Sequence, residues 1–560
     1  MGSKKIERHS KCGLLLAIFG LFILLNSIFL IRYIEVLNNQ TNIISKSIAL
    51  LLLGWIILSS FYACYHLCSF VFSVIIKKRS KNRNVDYLST PNVAILYPCM
   101  NDFKAKAVDS YLRQTYANYH IFILDDSDSF DEKRKIDAYQ ESHVDRISIF
   151  RRQDRQGYKA GNLNYALSLI QDQYKYFAVM DSDEIIPEKF LTETAAVAEA
   201  NPGYGFIQTA HTQYGETPYA QKTGDCVDLH WNYFLPARND HGFVYYYGHG
   251  ALIRMEACLR AGGFPEIVAE DLALAVRLRQ LGYEGYYLDT IVCREETPRT
   301  YYSWRKREGK VATGTLEFIA REFWNFAKSK NIPVAEKLDL VISSSIIYMP
   351  LLFLGFISLL YIILPIFYSD SYSFSSPWLK DSGGGYIHTA AGVFKPLWGW
   401  DTLAFTLFII FAPLCYIVPA LFKRPMKIIT YIWYMNTVQL SNTLNISKEV
   451  FEWIWTRKSA FLPTGDRTKK SHVTSWNRIE SLAGLALVLI GIKTLSLCLM
   501  ATGFSIFLVP LLLKKNLQGS PSAVLLVLLP MTLTILAFGI IPFGLLGFTG
   551  IFAGIALAHH

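Results

Sequence analysis

Two apolar runs near the start of the chain, residues 13–33 and 48–76, constrain its fold more than any other feature. Each is long enough to cross the roughly 30 Å hydrocarbon core of a bilayer. The first is longer than a signal-peptide core and is followed closely by the second, which favours a retained anchor over a cleaved leader. Lys4, Lys5, Arg8 and Lys11 precede the pair, and Lys77, Lys78, Arg79, Lys81 and Arg83 follow it, while the loop between them is poor in cations. The positive-inside rule then places both outer flanks, and the polar region after them, in the cytosol of a plasma-membrane protein. With 52% hydrophobic and 18% charged residues the chain is too apolar to be wholly soluble. Cationic flanks largely account for the formal charge of +10, so no nucleic-acid partner is expected. Nine cysteines are scattered without paired metal spacing, and Cys64 and Cys68 around His66, inside an apolar run, read as packing.

Residues 92–299 have a different character. Short apolar runs at 93–96, 121–124 and 177–180 alternate with helix-like stretches, the pattern of an α/β domain with a largely parallel sheet. An amphipathic segment at 316–328 reads as an interfacial helix. Further spans are expected at 338–367 and 403–422, then an aromatic segment at 428–455 and a polar basic loop at 457–470. Residues 482–513 and 523–557 are apolar but broken by Gly and Pro and suit two to four spans, with Lys514 and Lys515 favouring four. Three regions result: membrane anchors over 1–91, a cytosolic domain over 92–315, and interfacial helices with spans over 316–560.

Chemistry concentrates in the middle region. The run YFAVMDSDEIIPE, residues 176–188, is a short buried strand that stops at Asp181 and Asp183, a hard oxygen pair suited to a divalent cation carrying phosphates. Asp-Ser-Asp alone is weak evidence and, without its surroundings, better suits a surface turn. A second strand ends at Asp125 and Asp126, where acids can accept hydrogen bonds from a base or ribose. Residues 156–166, QGYKAGNLNYA, form a glycine-containing turn into a helix that could bring Lys159 to a phosphate, or leave it solvated. Glu270 and Asp271 open an amphipathic helix, where charge complementarity with the helix N-terminus would account for them without any function.

As a set these residues resemble the membrane-integrated family 2 glycosyltransferases of the cellulose, chitin and hyaluronan synthase type, closely over about 92–314 and loosely to about 466. The acidic pair corresponds to Asp125 and Asp126, the K-A-G-x-L segment to 159–163, the D-x-D to Asp181 and Asp183, and the E-D acid to Glu270 and Asp271. The resemblance implies an α/β GT-A (Rossmann-like) cytosolic domain inserted in a helical transmembrane domain. It also implies a nucleotide-sugar donor, a UDP-sugar, held near Tyr97, Pro98, Asp125, Asp126, Lys159 and Asp181, with Mg2+ or Mn2+ on Asp183 and Asp181. Asp271, backed by Glu270, is the expected general base. VYYYGHGA, residues 244–251, falls where cellulose synthases bind acceptor, making Gly248 and His249 candidate sugar contacts.

Two departures stand out. Where the family has Q-x-x-R-W this chain has Arg307, Glu308, Gly309, Lys310 and Val311: the arginine expected on the diphosphate is Lys310, and the tryptophan on which acceptor stacks is Val311, with Trp304 a candidate substitute. The segment 459–466 resembles a gating loop, with Phe461, Thr464 and Asp466 as its candidate contacts, but has Pro463 and Asp466 where the family has Val and Lys. The expectation is an inverting enzyme that polymerises sugar from UDP-glucose into a β-linked glycan, of mixed or β-1,3 linkage, and moves it across the membrane. Its partners are then donor, growing glycan and membrane lipids, with an oligomer left open. Alternatives are non-processive transfer to a lipid carrier, a hyaluronan- or chitin-type polymer from UDP-GlcNAc, and, in another class, an inactive transferase-like scaffold or transporter.

Overall fold

Strand VAILYPC, rich in branched and aromatic residues, lies inside the sheet with a parallel neighbour on each side, and its alternate side chains enter two different cores. Val93, Ile95 and Tyr97 face one way; Ala94 and Leu96 face the other. The computed structural model describes residues 12–40, 43–80, 90–215, 228–359, 363, 400–419, 425–457, 473–493 and 497–515. Seven strands, β1 (Val93–Cys99), β2 (Tyr119–Asp125), β3 (Ile147–Phe150), β4 (Tyr176–Val179), β5 (Tyr204–Tyr214), β6 (Ala251–Arg254) and β7 (Glu284–Glu296), form one sheet in the order β3-β2-β1-β4-β6-β5-β7. β1, β2, β3 and β4 run parallel, and β5 pairs in parallel with β7.

β6 departs from the parallel expectation, lying antiparallel to both β4 and β5. The chain leaves β5 and enters β6 at the same edge of the sheet, so β6 has to run back. The other six strands therefore end at one edge, where the Gly248–Gly250 turn into β6 also lies. That edge gathers the segments singled out by sequence. The sheet is therefore mixed, within an α/β domain.

The face carrying Ala94, Leu96, Phe122 and Phe177 belongs to a core continuous with the apolar helices, whereas the opposite face closes on Val108, Tyr111, Phe190 and Leu191. Four helical stretches among the described residues are long and apolar enough to cross a membrane: Gly13–Asn38, Ile43–Ile75, Val334–Ser358 and Ser475–Ile492. The third combines the helices Val334–Ser345 and Met349–Ser358 through a turn at Ile346–Tyr348. His66 donates to or accepts from Tyr416 Oη at 3.2 Å, a packing role. A buried ion pair ties this part to the sheet domain. Arg238 donates to Asp339 (3.2 Å) and Tyr65 (2.6 Å), while Asp339 also accepts from the Tyr65 hydroxyl and the Phe243 amide, each at 2.9 Å.

The expected interfacial helix at 316–328 is only the second half of one 28-residue helix, Tyr301–Lys328. Thr300 caps it by accepting from Ser303 N, and no proline or helix-ending glycine interrupts it before Lys328. The departed segment 307–311 thus sits inside a helix, and the helix runs through the expected boundary at 315/316. Residues 458–472, which include Phe461, Thr464 and Asp466, and residues 516–560 lie outside the described residues.

Candidate active site

β4 delivers its residues to the cleft because its apolar run ends where the strand does. Asp181 follows, and its Oδ1 accepts from Lys159 Nζ at 2.5 Å; the same ammonium reaches the carbonyl of Gly248 at 3.1 Å. Lys159 lies in the first turn of the helix Tyr158–Ile170, which starts next to the sheet edge. Burial works to raise the Asp181 pKa, but Lys159 and His249 outweigh it and hold the carboxyl below its usual range. Asp183 behaves oppositely. Burial, reinforced by the charges of Asp181 and Glu295, pushes it up to about 7 despite Lys104. Its Oδ2 accepts from Glu296 N at 3.2 Å. The two carboxylates could hold a hard divalent cation, and Asp183 is the freer of them because Lys159 already occupies Asp181.

Glu270 and Asp271 open the helix Glu270–Gln280. Asp271 Oδ1 accepts from Leu272 N at 2.7 Å. Its Oδ2 lies 3.1 Å from where a β-carbon on Gly248 would stand. Gly248 has φ of +85°, so a side chain there would be strained and would also crowd the carboxylate. Burial raises both acids, Glu270 to about 7 with the Asp271 charge contributing, and Lys159 and Lys310 oppose the shift in both. The charge of Lys310 thus acts on the acid pair. Replacing it with alanine removes a charge that favours ionisation, so the acid limb of the transfer-rate profile should move to higher pH in Lys310→Ala and return in Lys310→Arg. An unmoved limb would separate Lys310 from the acid pair.

Several expected contacts sit elsewhere. Tyr97 points into the core below the edge, where its hydroxyl donates to Ser182 O and accepts from Lys104 N, each at 3.0 Å, so it offers no face to a base; half-buried Pro98 is the β1 residue at the rim. Asp125 accepts from Arg151 at 2.6 Å and Asp126 is gripped through both oxygens by Arg152, at 2.9 and 2.7 Å. Arg152 also holds the carbonyls of Gln156 and Tyr158, fixing the turn that precedes Lys159. Trp304 is 1% exposed and stacks on Tyr301 among Leu508, Val509, Leu512 and Leu513, so it is a packing residue and no acceptor platform. Val311 is half-buried against the apolar core. Arg307 lies 3.8 Å from the buried Glu308 and helps lower the pKa of Glu295. His249 is held by Glu184 at 3.2 Å and Glu295 at 3.1 Å, and Glu184 by His211 at 2.9 Å. Sequence reasoning missed Arg151, Arg152, Glu184, His211 and Glu295. The basic run RRQDR at 151–155, directly after β3, was the one legible signal among them.

Residues 176–435 match the family described as "Glycosyl transferase family group 2". The match begins at β4 and includes Asp181, Asp183, Glu270 and Asp271. A probable glucomannan 4-beta-mannosyltransferase 4 from Oryza sativa subsp. japonica is 27% identical over 197 residues, 34% of this chain and 36% of that protein. A glucans biosynthesis glucosyltransferase H from Cupriavidus pinatubonensis is 29% identical over 253 residues, 40% of this chain and 29% of that protein. The chain thus spans about a third of the length of these curated relatives. A solved mannosyltransferase from Pyrobaculum calidifontis, in complex with GDP-Man and Mn2+, is similar at 18% identity and a TM-score of 0.44, covering 65% of this chain and 99% of that one. Residues 176–435, with Asp181, Asp183, Glu270 and Asp271 among them, are thus similar to a glycosyl transferase family group 2 domain.

Proposed function

We propose that the chain is an inverting glycosyltransferase that transfers sugar from a nucleotide-sugar donor, UDP-glucose first, to the end of a growing β-linked glycan at the sheet edge. The observation that carries this reading is the meeting, at that edge, of one acid tied to a lysine (Asp181), one poised near neutrality (Asp183) and an acid pair on a separate helix (Glu270 and Asp271). Inversion needs a base that faces the acceptor and a charge-neutralising site that faces the leaving group, held apart. The acceptor hydroxyl oxygen attacks the anomeric carbon as the bond to the diphosphate oxygen breaks, and the hydroxyl proton passes to Asp271. Lys159 holds Asp181 and the Gly248 carbonyl, so donor side and acceptor side are fixed by one ammonium. A divalent cation on Asp183 and Asp181, Mg2+ or Mn2+, would neutralise charge on the diphosphate when bound. Pro98, at the rim of the sheet edge, would lie at the nucleoside end, with Asp126 acting there only through Arg152.

The four apolar helical stretches support retention of the product at a membrane; on this reading the sheet domain is cytosolic and the glycan passes through the spans. With valine at 311 a terminal sugar lacks the aromatic platform, which favours a mixed or β-1,3 linkage over plain β-1,4-glucan. A second reading, a β-mannosyl transfer, is favoured by the names of two Oryza sativa relatives, each a probable glucomannan 4-beta-mannosyltransferase. Supplying purified protein with labelled UDP-glucose, GDP-mannose and UDP-GlcNAc separates these readings by which label enters product.

A further inference from the structure

We propose that Glu184, His211 and His249 form a second cation site, suited to a transition metal such as Zn2+ or Co2+ and separate from the oxygen-only pair Asp181 and Asp183. One ligand atom from each of the three residues falls within a 4.8 Å span. Glu184 Oε1 is 2.9 Å from His211 Nε2 and Glu184 Oε2 is 3.2 Å from His249 Nδ1. Nitrogen and oxygen donors about 2.0–2.2 Å from a tetrahedral ion lie roughly 3.3 Å from one another, so both carboxylate–imidazole separations already suit coordination and only the two rings need to draw together.

Three further observations support a metal over a hydrogen-bonded trio alone. First, His249 meets Glu184 through one ring nitrogen and Glu295 Oε2, at 3.1 Å, through the other, and Glu295 itself accepts from the Gln213 amide. A carboxylate behind the free nitrogen of a ligating histidine fixes its tautomer and raises its basicity, the usual surroundings of a metal-bound imidazole. Second, Gly250 has φ of +58°, and a β-carbon there would collide with both His211 and Glu184, so the backbone passes flush against the donor atoms. Third, the carboxylates of Glu184 and Glu295 both meet His249 directly, at 3.2 and 3.1 Å, while Lys159 pairs with Asp181 and Lys104 with Glu296. A divalent ion would balance that charge.

Two imidazoles and one carboxylate in a water-poor setting select Zn2+ or Co2+ over Mg2+, whereas Asp181 and Asp183 offer only hard oxygens. Such an ion would pin His249, and with it the Gly248 turn against Asp271, to the strand that carries His211. The site does not depend on the transferase reading.

Full-length protein in detergent, stripped of metal and titrated with Co2+, should bind one equivalent with the visible absorption of nitrogen-ligated cobalt. That absorption should persist in Asp183→Asn and be lost in His211→Gln and Glu184→Gln. Because His211 and Glu184 are fully buried and their variants could misfold, zinc-edge X-ray absorption of the zinc-loaded wild type gives a reading without substitution. Two nitrogen scatterers at about 2.0 Å would bear the site out. A shell of oxygens only, or a cobalt spectrum lost in Asp183→Asn and kept in His211→Gln, would overturn it.

Discussion

Asp271→Asn should lower the transfer rate by about two to four orders of magnitude, the usual worth of a general base, while leaving nucleotide-sugar binding close to that of the wild type. Asparagine keeps the size of the side chain and can still accept from Leu272 N, but it cannot take a proton from the acceptor. The neighbouring Glu270 does not supply the loss, because the Gly248 turn lies against Asp271. Glu270→Gln should therefore cost much less in rate, and its effect should appear mainly as a downward shift of the acid limb, since one negative charge beside Asp271 has been removed. Isothermal titration with UDP alongside initial rates separates binding from transfer. Near-normal turnover in Asp271→Asn would move the base to Glu270 or out of the pair.

Arg238→Ala should destabilise the folded protein by about 3–5 kcal/mol, the usual cost of removing one partner from a buried ion pair. Arg238 is 1% exposed and Asp339 0%, so the carboxylate left behind would keep only the Tyr65 hydroxyl and the Phe243 amide. Phe243 begins the segment that runs through Tyr245, itself bonded to Leu340 O, to Gly248. Loosening that anchor should lower transfer as well as melting temperature. Replacing both partners with apolar residues, Arg238→Met with Asp339→Leu, should recover most of the stability, because a buried pair contributes little beyond its own desolvation. Thermal unfolding in detergent reads both variants. A single variant as stable as the wild type would mean that the pair is hydrated and does not hold the two parts together.

Strand ends carrying acids were legible because the hydrophobic pattern stops abruptly at Asp125 and Asp181, and a strand that is apolar on both faces can only present polar residues at its end. The glycine turn before Lys159 and the helix starting at Glu270 were legible for similarly local reasons. What sequence did not disclose depends on contacts between distant segments. Arg152 lies 26 residues from Asp126, and His211 27 residues from Glu184, and no local pattern pairs them. Tyr97 and Trp304 were misjudged because an aromatic residue near a motif reads the same whether its ring faces the cleft or the core. The direction of β6 followed from where its connection begins and ends, which periodicity does not record. Helix Tyr301–Lys328 was cut short in the sequence reading because its first half is polar enough to pass for a loop, though its buried residues Tyr301, Arg305, Glu308 and Ala312 recur at helical spacing.

The most direct test of the account is the incorporation of labelled sugar by purified full-length protein, offered UDP-glucose, GDP-mannose and UDP-GlcNAc in turn with Mg2+ or Mn2+, with and without excess EDTA. The account predicts incorporation from UDP-glucose into a β-linked product that a cellulose-specific β-1,4-glucanase does not fully digest, abolished by EDTA and by Asp183→Asn. Incorporation from GDP-mannose instead would leave the catalytic assignment standing and transfer the donor to the second reading. Binding of nucleotide sugar with no transfer from any of the three, or full activity in EDTA, would contradict the central claim that these sheet-edge carboxylates form a working transferase site.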